Sequence, residues 1–289
     1  MAKIITKDTK PGKGISKDER EKRRFFLFFE LLGEKFTKLI KLNFIYVLCL
    51  IPLFLGIYFS FEINKNITSL ADLSKMPLFY VRPDYISICV LILSCLITGP
   101  STAGFCFVLR NLQRREHAWV MSDFFSQFKK NFAQGFLMAL IDVILFIVLY
   151  VAFSFYAFPT DYVNIPPVMS ALCAGLVLLI SIIFLWAHYY IYTIMVTFKL
   201  SIKNIIKNSV IFALGKLPLN LFLTIIILGL IVLSLYLFLL ANIILSIIVA
   251  LILFSFIGFL IVFSTYPTID KLMLQRADEK KRVLNLRGE

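Results

Sequence analysis

Charge is scarce in this chain. Only 16% of its 289 residues are Asp, Glu, Lys or Arg, where soluble globular proteins carry about 25%. Histidine occurs twice and tryptophan twice. The GxxxxGK[ST] loop of ATP-binding proteins is missing, as are HExxH and GxSxG. Glu116, His117 and Asp123 stand near one another, but two ligand types without further His or Cys make a poor metal site, so they read as solvated loop polarity. The five cysteines (Cys49, Cys89, Cys95, Cys106, Cys173) all fall in apolar stretches. That pattern gives no disulfide framework and no metal-ligand spacing, only small hydrophobes in helix packing. These absences argue against an enzyme and against a bound cofactor.

What the chain has instead is apolar length. Hydrophobic residues make up 60% of it, and the mean hydropathy is +0.88. Six blocks, at 44–61, 85–109, 132–157, 168–198, 214–240 and 242–266, approach or exceed the ~20 residues that cross a ~30 Å hydrocarbon layer. Backbone groups in lipid must pair internally, so these blocks are expected to be helices. The fold class that follows is all-α: a polytopic membrane protein of six spans arranged as three hairpins. The fifth and sixth blocks meet at Ala241–Asn242, the tightest of the connections. About 24 largely polar residues precede a first apolar run long enough to span, so no cleavable signal peptide is expected.

The net charge of +13 sorts by position. Of the 30 lysines and arginines, 27 lie in residues 1–41, the 110–130 loop, the 199–216 loop and the stretch after 270. The remaining three, Lys65, Lys75 and Arg82, share one loop on the other side. Such asymmetry predicts both termini in the cytoplasm and attraction to anionic inner-leaflet lipid. No basic surface interleaved with base-stacking aromatics is present, so nucleic acid is not an expected partner. Residues 1–24 read as a basic flexible tail, 25–270 as the membrane domain and 271–289 as a charged tail. Asn66-Ile67-Thr68 fits a glycosylation sequon, a pattern common by chance.

Short amphipathic segments lead into three of the spans. Ser16 and Glu19 form a capping-box pattern, followed by Phe25, Phe28, Phe29, Leu32, Phe36, Leu39 and Ile40 at three- and four-residue spacing. Ser122 is placed to cap a second segment, with Phe124, Phe125, Phe128, Phe132 and Phe136 as its stripe. In the third, Lys199, Lys203 and Lys207 recur against Ile202, Ile206 and Ile211. Each would lie along the cytoplasmic interface. Each also has Lys and Asn near the start of the span (Lys41/Asn43, Lys130/Asn131, Lys207/Asn208), which suggests three related units.

Two groups of residues are candidates for function. Thr98, Gly99, Pro100 and Ser101 interrupt the second span, where Pro100 should kink or break the helix. Asp142 stands 11 positions after Asn131, about 16 Å along a helix and so near mid-bilayer. His188, 11 positions before Lys199, is at similar depth. Together they form a candidate mid-membrane polar cluster, read either as a packing pair that fixes helix rotation or as a site for solute or protons. The second group, Arg110, Phe124, Phe125, Phe128, Lys129, Lys130 and Asn131, is a candidate cytoplasmic surface for a protein partner or for lipid. Trp186, Tyr189, Tyr190 and Tyr192 read as bulky packing and interface residues.

The run Thr98-Gly-Pro-Ser-Thr-Ala-Gly-Phe, continuing through Val108-Leu-Arg-Asn and Asp123-Phe-Phe-Ser-Gln-Phe-Lys-Lys-Asn-Phe, resembles the YesL-like family of Gram-positive membrane proteins. Gly99, Pro100, Ala103, Arg110, Phe124, Phe125, Lys130 and Asn131 carry the likeness, which extends more loosely from about Phe29 to Asp270. The resemblance implies the plasma membrane of a Gram-positive bacterium. It also implies an accessory role beside carbohydrate importers of the ATP-binding-cassette type, with permease subunits as partners. The alternative from the residues themselves is a self-contained, small-solute or proton-coupled transporter built around Asp142.

Overall fold

The computed structural model describes residues 23–62, 85–157, 165–239, 249 and 251–275. The basic tail with Ser16 and Glu19, the loop holding Lys65, Lys75, Arg82 and the sequon, the Ala241–Asn242 junction and the tail from 276 lie outside the described residues. The described residues form nine α-helices and no strand: α1 (Arg24–Glu34), α2 (Phe36–Glu62), α3 (Tyr85–Gln113), α4 (Val120–Lys130), α5 (Phe132–Ala157), α6 (Pro167–Thr197), α7 (Ile202–Gly215), α8 (Leu217–Leu239) and α9 (Leu253–Ile269). A π-helical turn, Asp270–Gln275, follows α9. Six of the helices are long and apolar enough to cross a membrane, so the chain is a multi-pass membrane protein.

The element order repeats three times as a short helix, a one-residue joint and two long helices. The joints are Lys35, Asn131 and Lys216, with φ/ψ of −106/10, −107/18 and −128/40. All three depart from helical dihedrals toward the same sparsely populated region. The hydrogen-bond ladder nonetheless passes through. Lys35, Asn131 and Lys216 each donate their N–H to the carbonyl four residues back, at 2.9, 3.0 and 3.0 Å. Beyond the joint, Leu39 and Asn220 donate to the carbonyls of Lys35 and Lys216.

This corrects the register expected from sequence. The first amphipathic segment ends at Glu34, and Phe36, Leu39 and Ile40 belong to the span. Asn43 lies inside α2 and Asn208 inside α7, so only Asn131 of the three asparagines occupies a joint. The first span starts earlier than its apolar block because Lys38 and Lys41 ride on the first turns of α2. On α7 the buried set is Ile205, Ser209, Phe212 and Ala213, and Ile211 is exposed.

The chain divides into two compact units. The first comprises residues up to Val47, 102–131 and Trp186 onward. Its core forms around the second half of α3. Tyr46 of α2 stacks on Phe105 at 4.1 Å between ring centroids, and its hydroxyl lies 3.0 Å from Thr102 Oγ1. Gly258 of α9 faces Phe105 and Leu109 so closely that a Cβ would come within 2.9 Å of both. Phe28 of α1 packs on Phe259 and Phe263 of α9, at 5.5 and 5.3 Å.

The second unit comprises Leu48–Ser101 and Phe132–Leu185. Here α3 and α5 cross with their backbones in contact. A Cβ on Gly99 would lie 2.0 Å from the Gly135 carbonyl oxygen, and one on Gly135 would lie 2.7 Å from Pro100 N. One turn away, the Cys95 thiol points at the Ala139 carbonyl, 3.8 Å distant. Small residues let membrane helices approach in this way, trading side-chain bulk for close backbone packing. Ser170 of α6 donates to the Tyr156 carbonyl at the end of α5.

The crossing predicts a position-specific cost. Gly99→Ala should lower stability by roughly 1–3 kcal/mol through overpacking, read as a fall in thermal unfolding midpoint in detergent. Gly175→Ala, in open space on α6, should leave the midpoint within a degree or two. Equal effects at both positions would mean that the Gly99 contact does not hold α3 to α5.

Candidate functional site: a basic collar around α3

Arg110 sits in the last turn of α3 and is 4% exposed. An isolated buried cation is costly, so its partners decide its role. Its Nη1 donates to the Val196 carbonyl at 3.0 Å and to Thr197 Oγ1 at 3.3 Å. Its Nη2 donates to Asn111 Oδ1 at 3.1 Å, and the guanidinium lies 4.6 Å from the centre of the Phe107 ring. Val196 is in the final turn of α6, where carbonyls lack helical partners and the macrodipole is negative. The arginine therefore caps α6 and ties it to α3. It is a buried structural cation rather than part of an outward docking surface.

The segment after α3 is held as firmly. Arg115 has φ of 56°, a left-handed conformation that disfavours side chains. Arg115 N–H donates to Leu112 O and Glu116 N–H to Asn111 O, the bond pair of a Schellman motif. Arg115 also meets Glu30 of α1 at 2.8 Å, while Lys38 of α2 donates to the Ala118 carbonyl at 3.2 Å. The helix α4 then starts from Trp119, whose N–H is accepted by Asp123 Oδ2 at 2.8 Å. Ser122, expected as the cap, makes no capping bond; Asp123 reaches back instead.

Within α4 the expected aromatic stripe divides. Phe124 is fully buried, with its backbone against Gly104, where a Cβ would lie 2.6 Å from the Phe124 carbonyl oxygen. Asn131 is buried and donates to Gln127 O and Oε1 at 3.0 and 3.1 Å, closing the helix end. Phe128 is half-buried, and Phe125, Lys129 and Lys130 are exposed. Three of the seven docking candidates, Arg110, Phe124 and Asn131, thus belong to the scaffold. Trp119 and Met121, which sequence reasoning passed over, join the exposed side.

The mid-membrane candidates fall differently. The helix α3 runs unbroken through Pro100, so of the kink or break expected there the break is absent. Ser101 Oγ donates to the Thr98 carbonyl at 2.9 Å, and the stretch serves the Gly99–Gly135 crossing. Asp142 is half-buried on α5, within electrostatic reach of Cys95. The Gly99–Gly135 and Cys95–Ala139 contacts run antiparallel, which puts Asp142 about 10 Å along α5 from the crossing. The carboxylate therefore neighbours Cys95 rather than the Thr98–Ser101 stretch. His188 belongs to the first unit, its ring 6.4 Å from that of Tyr192.

A polar network between α6 and α8 went unread in the sequence. Trp186 Nε1 donates to Thr224 Oγ1 at 2.9 Å, and the Tyr189 hydroxyl is 2.9 Å from the same oxygen. The Tyr190 hydroxyl donates to Asn220 Oδ1 at 2.8 Å, and Asn220 Nδ2 donates to the Ala213 carbonyl in the last turn of α7. The available signal was the four-residue spacing of Asn220 and Thr224 opposite aromatics that carry donors. Among the described residues, no three His, Cys, Asp or Glu side chains converge to hold a metal ion.

Residues 78–153 match the model of a family described as a protein of unknown function, DUF624. The match covers α3, α4 and most of α5, the stretch that includes the Gly99–Gly135 crossing and the α3–α4 connection. No curated protein and no solved structure matches the chain.

The two arginines of the collar should behave unlike each other. Arg110→Met removes the cap of α6 and should cost about 1–3 kcal/mol, with Arg110→Lys recovering only part because an ammonium cannot reproduce the fork. Arg115→Ala breaks a more exposed ion pair and should cost less than about 1 kcal/mol. Thermal unfolding in detergent separates them; similar losses would contradict the capping role of Arg110.

Proposed function

We propose that the chain is an accessory or assembly partner of a carbohydrate importer of the ATP-binding-cassette type. On this reading it is a resident of the plasma membrane of a Gram-positive bacterium, with both termini in the cytoplasm. The observation that carries the proposal is how polar and apolar groups are used. The polar side chains Asn43, Arg110, Tyr190 and Asn220 bind helix ends or one another. Meanwhile the most apolar windows of α5, α6 and α8 are each only 11% buried within the chain, against 56% for α3. A chain whose polar groups secure its own scaffold, and which turns whole apolar spans outward, suits lateral contact with another membrane protein. The likeness to the YesL-like family supports the same reading, and the match over residues 78–153 is consistent with it. The excess of lysine and arginine in alternate loops supports the orientation.

A second reading, a self-contained small-solute or proton-coupled transporter, draws on Asp142, an ionisable group in the interior of an otherwise apolar span.

Mild-detergent affinity purification from the native host, grown on several complex carbohydrates, tests the first reading. Permease subunits or their binding protein should co-purify in stoichiometric amounts. Recovery of this chain alone under every growth condition would refute the accessory role. Solute or proton flux in proteoliposomes holding only this chain, lost in Asp142→Asn, would establish the transporter in its place.

A further inference from the structure

The helix α4, with Trp119 just before it, presents two apolar faces, and one of them is packed into the core of its unit. Val120, Phe124 and Gln127 are buried, with Phe124 against Gly104 of α3. On the other side Trp119 is 70%, Met121 63% and Phe125 42% exposed. Lys129 and Lys130 occupy the last turn and are exposed as well. The helix cannot stand far from the bilayer, because a single residue, Asn131, separates it from α5, whose first residue begins a membrane span. One residue of chain reaches less than about 4 Å. The other end is fixed too, by the Arg115–Glu30 pair and the Lys38–Ala118 bond. A surface-bound helix of this kind has tryptophan and large apolar side chains on one side and lysines that extend toward charged headgroups.

The short helices at the other two joints share the pattern. The first, α1, exposes Phe25, Phe26 and Phe29; α7 exposes Ile211 and Leu214 beside Lys203 and Lys207. What recurs at all three is exposed apolar bulk one residue from the start of a span, which is where lipid is. Lysines in a last turn favour the helix dipole wherever they stand. They do not explain an exposed methionine and phenylalanine on the same helix, or the exposed tryptophan just before it.

We infer that α4 is a docking site for anionic phospholipids, with Trp119, Met121 and Phe125 set among the upper acyl chains and Lys129 and Lys130 on the headgroup phosphates. The proposal is independent of any protein partner of the spans.

The test uses the full chain in vesicles of phosphatidylcholine, alone or mixed equally with phosphatidylglycerol. The chain has two tryptophans, so Trp186→Phe leaves Trp119 as the single reporter. The difference between the unaltered chain and Trp119→Phe supplies the same signal if Trp186→Phe does not fold. Trp119 emission should be quenched more by a spin label near the headgroup end of the acyl chain than by one near its terminus. Spin-labelled phosphatidylglycerol should associate in preference to phosphatidylcholine, and Lys129→Gln with Lys130→Gln should cut that preference roughly tenfold. Quenching by aqueous iodide with none by the lipid labels would overturn the proposal, since the face would then lie in water. So would shielding from both quenchers, which would put a protein chain there. An unchanged lipid preference in the double variant would remove the phosphates from the site and overturn the assignment equally.

Discussion

A helix end leaves backbone groups without partners, costly wherever water is excluded, and much of this structure is organised around that constraint. Carbonyls that a helix cannot use are met by side chains from another element. Arg110 takes Val196 O at the end of α6, and Asn220 takes Ala213 O at the end of α7. Ser170 takes Tyr156 O at the end of α5. In α9, Pro267 lacks the N–H that would pair with Phe263 O, and Arg24 of α1 donates to that oxygen at 2.8 Å while lying over the Phe263 ring. The reverse case occurs at the start of α9, where Asn43 Oδ1 accepts from Ser255 N–H at 2.9 Å. These side chains cross from one helix to another, so each bond that completes a helix also fixes its neighbour. Secondary structure and tertiary packing are here stabilised by the same contacts.

This explains why the sequence was legible for some features and opaque for others. Span number and helical class follow from apolar length alone, since 18 or more apolar residues admit few alternatives. The threefold recurrence was also visible, as amphipathic segments before spans. Its register was not, because the joints depend on a dihedral change at Lys35, Asn131 and Lys216 and not on a residue type. Pro100 was expected to kink or break α3; the helix does not break, with Gly99 and Gly135 in backbone contact and Ser101 bonded to Thr98 O. A proline signals a missing donor, but whether the helix breaks depends on its surroundings.

The candidate site was less readable than the fold. Arg110 lay beside a basic loop and looked like surface charge; its burial depends on α6 ending at the same place, a coincidence of three-dimensional arrangement. Phe124 and Phe125 are adjacent and chemically identical, but one is core and the other is exposed. Four-residue periodicity marks a helix face without saying which of two apolar faces meets protein. Trp186, Tyr189 and Tyr190 were read as bulk because their donors matter only when Thr224 and Asn220 lie opposite.

The joints at Lys35, Asn131 and Lys216 leave helical dihedrals while each joint residue keeps its own ladder bond. Straightening one would require little more than returning a pair of torsions to helical values, so the backbone itself offers weak resistance. The short helices are instead held by the seating of Phe28, Phe124 and Phe212 in the core. Where each short helix lies is therefore decided by the side chains it buries and not by the stiffness of its joint.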